Sequence, residues 1–166
     1  RCGRTRDPAY PARGPEPRRQ DPQLSEPDRR RAGDPNIIAR CLARVVDTRG
    51  FLTEGSGSNI FLVHDGKVRT PKAQYVLAGV SRAVAMDLCR DQGIEIQEDD
   101  LAPFDAATAD EAFITSTSLC LCPMGHFNGA AIGDGSVPGP VTAKLMEAYR
   151  AEVGADYVEQ YLSHLS

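Results

Sequence analysis

No apolar run in this chain approaches the roughly 20 residues that a membrane helix needs, so a membrane-spanning protein is not expected. The arginine-rich start lacks the apolar stretch that forms the core of a secretory signal, which makes a cytoplasmic setting the simplest expectation. The cysteines number five, an odd count, and none shows the paired spacing of a zinc site or of a disulfide framework. Cys120 and Cys122, one residue apart in an apolar run, read as core or pocket-wall thiols, and no metal is expected. No internal repeat of 20 to 50 residues is apparent. Lysine, finally, is missing from the whole stretch before Lys67.

What remains suits one soluble domain: 166 residues, 41% of them hydrophobic, can bury one ordinary core. Charge is unevenly divided. Residues 1–33 hold nine arginines and five acids, a net +4, whereas the rest holds ten basic residues against eighteen acids, a net −8. No aromatic interleaving or recognition helix accompanies the basic stretch, so nucleic acid is not an expected partner. Residues 1–35 contain seven prolines and almost no apolar periodicity. Such a segment cannot bury enough surface to offset its ordering entropy and reads as a disordered tail.

From residue 37 the pattern changes. Residues 37–46 suit a short helix or strand, and Asp47-Thr48-Arg49-Gly50 a turn. Residues 51–54 and 59–63 read as strands around a Gly-Ser-Gly bend. Asp65-Gly66 closes a hairpin, with residues 68–70 as its return strand. Val80, Val84 and Leu88 recur every fourth residue and predict an amphipathic helix ending near Gln92-Gly93. Strands are expected over 94–97, 112–115 and 119–122, a second helix over 140–153 and a short last helix over 157–165. Interspersed strands and helices of this kind indicate an α/β or α+β domain.

Three motifs carry chemistry. Leu52-Thr53-Glu54-Gly55-Ser56-Gly57-Ser58-Asn59-Ile60-Phe61 sets a carboxylate and two spaced glycines between apolar runs. Leu77-Ala78-Gly79-Val80-Ser81-Arg82 opens the first helix, where free N–H groups and the positive dipole end favour an anion. Thr115-Ser116-Thr117-Ser118 offers hydroxyls after a buried strand. Each also has a plain reading: a solvated turn residue at Glu54, an ordinary glycine-containing helix start, and a polar turn.

Taken together, the motifs resemble those of the class IV aminotransferases, enzymes that use pyridoxal 5′-phosphate and include branched-chain and D-amino-acid aminotransferases and aminodeoxychorismate lyase. The resemblance covers most of the chain from about residue 45. It implies that Glu54 pairs with the cofactor's ring nitrogen, that Gly55, Gly57 and Asn59 shape the turn beside the ring, and that Gly79, Val80, Ser81 and Thr117 hold the phosphate. Arg82 reads as support for the helix face, His64 and His126 as hairpin and loop residues, and Lys144 as a solvated charge. It further implies the larger, C-terminal domain of the D-amino-acid-aminotransferase-like fold over residues 36–166, with the small N-terminal domain absent, and a homodimer for the intact enzyme.

One element of the resemblance is missing. The family's lysine, which holds the cofactor covalently and moves the proton at the substrate α-carbon, lies some thirty-odd residues before the glutamate in a segment resembling Lys-x-x-Asn-Tyr-Leu-Asn. Neither Lys67 nor Lys72 has that context, so no catalytic residue is assigned. Reading one base onward through the codons of Gln20 to Asp28 and the first base of Arg29 gives, with permitted codon choices, Lys-Thr-Leu-Asn-Tyr-Leu-Asn-Arg-Ile. The expectation is therefore that residues 1 to about 33 are an out-of-frame translation, which the coding DNA decides. Without the lysine the chain as given should hold the cofactor weakly and hardly turn over. The function implied for intact relatives is amino transfer from a branched-chain or similarly apolar amino acid to a 2-oxo acid. A lyase of the same fold and an inactive fragment are the alternatives.

Overall fold

The computed structural model describes residues 46–163; the expectations for residues 1–35, and nearly all of the element expected over 37–46, lie outside them. The chain forms eight strands and four helices among the described residues: β1 Glu54–Gly55, β2 Ser58–His64, β3 Lys67–Pro71, α1 Val80–Asp91, β4 Ile96–Asp99, α2 Pro103–Ala107, β5 Glu111–Ser116, β6 Cys120–Met124, β7 His126–Phe127, β8 Ala130–Ala131, α3 Pro140–Val153 and α4 Tyr157–Ser163. A 3-10 turn, Ala73–Tyr75, lies between β3 and α1.

The main sheet runs β4-β3-β2-β5-β6, with β1 also paired to β2. All pairings are antiparallel except β3–β4, which α1 connects as a parallel crossover. Strand β2 is central. Its alternation sends Phe61 and Val63 to the face covered by α1 and α3, and Ile60 and Leu62 to the face packed with Leu101, Ala106 and Met124. Phe61 stacks on Phe113 of β5 at a centroid distance of 4.7 Å and 5° between planes, in the core beneath the two helices.

The expected elements form, with instructive shifts. Residues 51–54 do not make a full strand: a bridge joins Val46 to Leu52, and only Glu54–Gly55 pairs with β2. The strand expected over 94–97 begins at Ile96, because Ile94 belongs to the cap of α1. Gly93 at φ +68° donates to the Arg90 carbonyl and Ile94 to the Cys89 carbonyl, a two-bond glycine stop. Helix α2 was not expected. Its signal is Pro103 at the first helical position with Asp105, whose carboxylate accepts the Ala102 N–H at 2.7 Å. The last helix, Tyr157–Ser163, lies within the expected span. No described helix is long and apolar enough to cross a membrane.

Candidate functional site

The three motifs converge at one end of the sheet, where β2 begins and β5 ends. The turn Ser56-Gly57 folds β1 back on β2 in a register that sets Glu54 opposite Asn59 and Gly55 opposite Ser58. Gly57, not Gly55, carries the left-handed backbone, at φ +87°. On the other edge of β2, Asn59 pairs with Thr115. Cross-strand partners share a face, so Glu54, Asn59 and Thr115 lie in a row on the helix-covered side.

Helix α1 begins above that row. The half-buried Glu54 uses Oε2 to accept the Leu77 N–H at 2.7 Å and the Asn59 Nδ2 at 3.3 Å, while Asn59 Nδ2 also donates to the Leu77 carbonyl at 3.3 Å. Both protein bonds to this carboxylate go to Oε2, which leaves Oε1 as its second acceptor. Gly79 is the N-cap of α1, and the helix has no side-chain cap and no acidic residue in its first turn. Its leading N–H groups, those of Val80, Ser81 and Arg82, therefore lack an intrahelical partner. Val80 is 80% exposed, with Leu77 at 72% beside it, so this helix mouth opens to solvent.

The Ser81 hydroxyl donates to the Ser116 carbonyl at 3.1 Å and ties the helix mouth to the end of β5. Its single proton is used there, so the amide is the free donor of Ser81. Thr117 is the next residue, exposed in the β5–β6 turn. Thr115 Oγ1, in contrast, is buried without a hydrogen-bond partner. In β6, burial pushes the Cys122 thiol up to about 11 and raises that of Cys120 as well, so both stay protonated at neutral pH.

The second helix mouth provides an internal comparison. At the start of α3, buried Glu111 from β5 accepts the Val141 N–H at 2.9 Å and the Thr142 N–H at 2.7 Å, so an anion of the protein itself fills that mouth. Among the described residues, no carboxylate plays that part at the mouth of α1. The groups present fit a ligand with an anion at one end, for amides without a side-chain cap, and a proton donor at the other, for Glu54 Oε1.

The other candidates are committed elsewhere. Arg82 is 6% exposed, donates to the Pro71 carbonyl at 2.9 Å and pairs with Glu98 at 3.4 Å, so it braces α1 against β3 and β4. Lys67 pairs with Glu95 at 2.8 Å and Lys72 with Asp100 at 2.6 Å. Lys144 is exposed yet not merely solvated: its ammonium donates to the Gln92 carbonyl at 3.1 Å, at the end of α1. His64 Nε2 lies 2.9 Å from the Asp105 carbonyl oxygen. Among the described residues no three His, Cys, Asp or Glu side chains cluster as a metal site would require.

A family model described as amino-transferase class IV matches residues 41–126, more than half of the chain and all three motifs. The chain belongs to this family. The branched-chain-amino-acid aminotransferase of Pseudomonas aeruginosa is 37% identical over 107 residues, 64% of this chain and 34% of that protein. A D-alanine aminotransferase of Listeria monocytogenes is 37% identical over 126 residues, 71% of this chain and 43% of that protein. Among solved structures, the branched-chain amino acid aminotransferase from Escherichia coli superposes with a TM-score of 0.61 at 33% identity, covering 63% of this chain and 36% of that one. The class IV chain thus shares the mixed α/β fold of these enzymes and spans well under half the length of the relatives it matches.

Proposed function

We propose that this chain holds pyridoxal 5′-phosphate between Glu54 and the mouth of α1, as the cofactor-binding part of an enzyme that moves an amino group from an amino acid to a 2-oxo acid. The observation that carries the reading is the continuous hydrogen-bonded path from Glu54 through Leu77 to a helix start without a side-chain cap. The names of the relatives support an amino donor of branched-chain or similar apolar character. A homodimer in the cytoplasm belongs to the same proposal and is supported by the resemblance alone.

The cofactor, when bound, supplies an electron sink for the carbanion at the substrate α-carbon. The rest is done by residues of this chain. Glu54 Oε1 accepts the ring N–H and its negative charge keeps that proton in place. The Val80 and Ser81 amides donate to the phosphate, aided by the helix dipole, and the Thr117 hydroxyl adds a donor from the β5–β6 turn. Lys67, Lys72 and Lys144 are the three lysines of the sequence, and each is tied to Glu95, Asp100 or the Gln92 carbonyl. None of the three stands in the sequence context of the family's lysine, so the proposal is non-covalent holding of the cofactor by the chain as given. The out-of-frame origin of residues 1–33 is part of this proposal.

The test is a titration of the chain with pyridoxamine 5′-phosphate, which needs no lysine. Saturable binding is expected, and Glu54→Gln should weaken it about tenfold or more, because a hydrogen bond to a charged group is worth about 1.5–3 kcal/mol. Pyridoxal 5′-phosphate should bind without the absorption change of a lysine adduct. Absence of saturable binding, or indifference to Glu54→Gln, overturns the proposal.

A further inference from the structure

We propose that Asn59 is a positioning residue which fixes the spacing between the two grips on the cofactor without touching the cofactor itself. The proposal rests on the cofactor reading above. Three observations about one side chain carry it.

Asn59 is 6% exposed and lies in register between Glu54 and Thr115. Its amide nitrogen reaches Glu54 Oε2 and the Leu77 carbonyl, each at 3.3 Å, residues five and eighteen positions away in the chain. Both partners are acceptors, which requires the nitrogen and not the oxygen on that side. With the 2.7 Å bond from the Leu77 N–H to the same Glu54 Oε2, these contacts close a ring through Glu54, Leu77 and Asn59. The Gly79 N–H donates to the same Leu77 carbonyl at 2.8 Å, so the ring extends to the helix cap. Orientation of the carboxylate and placement of the helix mouth are therefore set by one network.

Gly79 supplies the independent observation. Its backbone, at φ −66° and ψ 137°, is open to any residue, so conformation does not demand glycine there. Space does. A Cβ at Gly79 would lie 2.5 Å from Asn59 Oδ1, and that oxygen cannot retreat without pulling the amide nitrogen from its two acceptors. The missing side chain at position 79 is the room that Asn59 occupies.

The geometry gives a distinctive expectation, because inorganic phosphate touches only the helix mouth whereas pyridoxamine 5′-phosphate needs both grips. With the full chain, Asn59→Ala should weaken pyridoxamine 5′-phosphate about tenfold, as expected for loss of two long hydrogen bonds, and leave inorganic phosphate within about twofold. Gly79→Ala should weaken pyridoxamine 5′-phosphate similarly by displacing the amide. The double variant should be no worse than Asn59→Ala alone, since the space is then free. Gly79→Ala removes no side chain of β2 and carries the test if Asn59→Ala does not fold. Unchanged pyridoxamine 5′-phosphate affinity in either single variant, equal losses for both ligands, or additive losses in the double variant would each overturn the positioning role. Failure of the unsubstituted chain to bind pyridoxamine 5′-phosphate would instead overturn the cofactor reading, and this proposal with it.

Discussion

Removing the carboxylate of Glu111 should uncap α3 and cost about 3 kcal/mol of folding stability. The side chain is 7% exposed and accepts two amide protons, from Val141 at 2.9 Å and Thr142 at 2.7 Å. Loss of a helix cap costs about 0.5–2 kcal/mol, and a buried donor left without a partner about 1–3 kcal/mol. Val141 is half-buried, so water rescues its amide in part, whereas Thr142 is buried and its amide is stranded. Together these place Glu111→Ala at about 2–4 kcal/mol. Glu111→Gln keeps one acceptor oxygen and should cost roughly half as much. Gly139→Ala should destabilise by a different route, because its Cβ would lie 2.3 Å from Glu111 Cδ. In a Glu111→Ala background that clash is gone, so the two losses should not add. Urea denaturation followed by far-ultraviolet circular dichroism measures all four variants against the unsubstituted chain. A Glu111→Ala loss within about 0.5 kcal/mol of zero would refute the capping argument, as surface substitutions behave that way.

Two further outcomes follow from backbone and burial. Gly57→Ala should cost about 1 kcal/mol through the left-handed backbone at φ +87°, since no atom lies within 4 Å of the added Cβ; Gly57→Asn should cost less, and an equal loss in both, read by urea midpoints, would contradict this. Burial raises the Cys89 and Cys122 thiols from 9.0 to about 11, so the unfolded chain releases these protons first and stability should fall as pH rises from about 9 to about 11, being unaffected below. A Cys89→Ala/Cys122→Ala variant should show a shallower fall in urea midpoint over that window, and an unchanged slope would refute the assignment.

Legibility in the sequence followed the range of the interactions. Helices α1 and α3 were readable because their apolar periodicity, Pro140 and the Gln92-Gly93 stop act within a few residues. The β2–β3 hairpin was readable from Asp65-Gly66 for the same reason: both residues take positive φ, at +49° and +75°. Helix α2 escaped because it has only five residues and too short an apolar pattern to show a period. Ile94 reads as a strand residue in the sequence because periodicity does not separate a strand's first residue from the apolar residue that follows a glycine cap. At the site, Glu54 and the mouth of α1 stood out as residue types in a motif. The part of Asn59 in the turn was legible, but its bond to Leu77 and the capping role of Glu111 were not, because those partners lie 18 and up to 31 positions away and only the folded sheet brings them near.

Those two residues explain why, of two similar helix starts on one sheet, one is filled by a carboxylate of the chain and the other, among the described residues, is not. Each helix begins at a glycine whose missing Cβ is filled from the sheet: Gly79 by Asn59 of β2, Gly139 by Glu111 of β5. Both helices lack a capping side chain at the N-cap itself. The difference is chemical. Glu111 presents two acceptor oxygens, which turn into the helix start and satisfy Val141 and Thr142. Asn59 is neutral and directs its amide nitrogen the other way, toward Glu54 and Leu77, so it donates where Glu111 accepts. Its packing keeps the glycine in place while, among the described residues, no carboxylate reaches the N–H groups of α1. Exchange of that amide for a carboxylate, as in Asn59→Asp, would put a negative charge beside Glu54 and near the helix start at once. Repulsion from Glu54 and competition for the α1 amides both oppose the phosphate. Asn59→Asp should therefore weaken inorganic phosphate as well as pyridoxamine 5′-phosphate, unlike Asn59→Ala, and the contrast between the two variants separates the neutral space-filling role of this side chain from its hydrogen-bonding one.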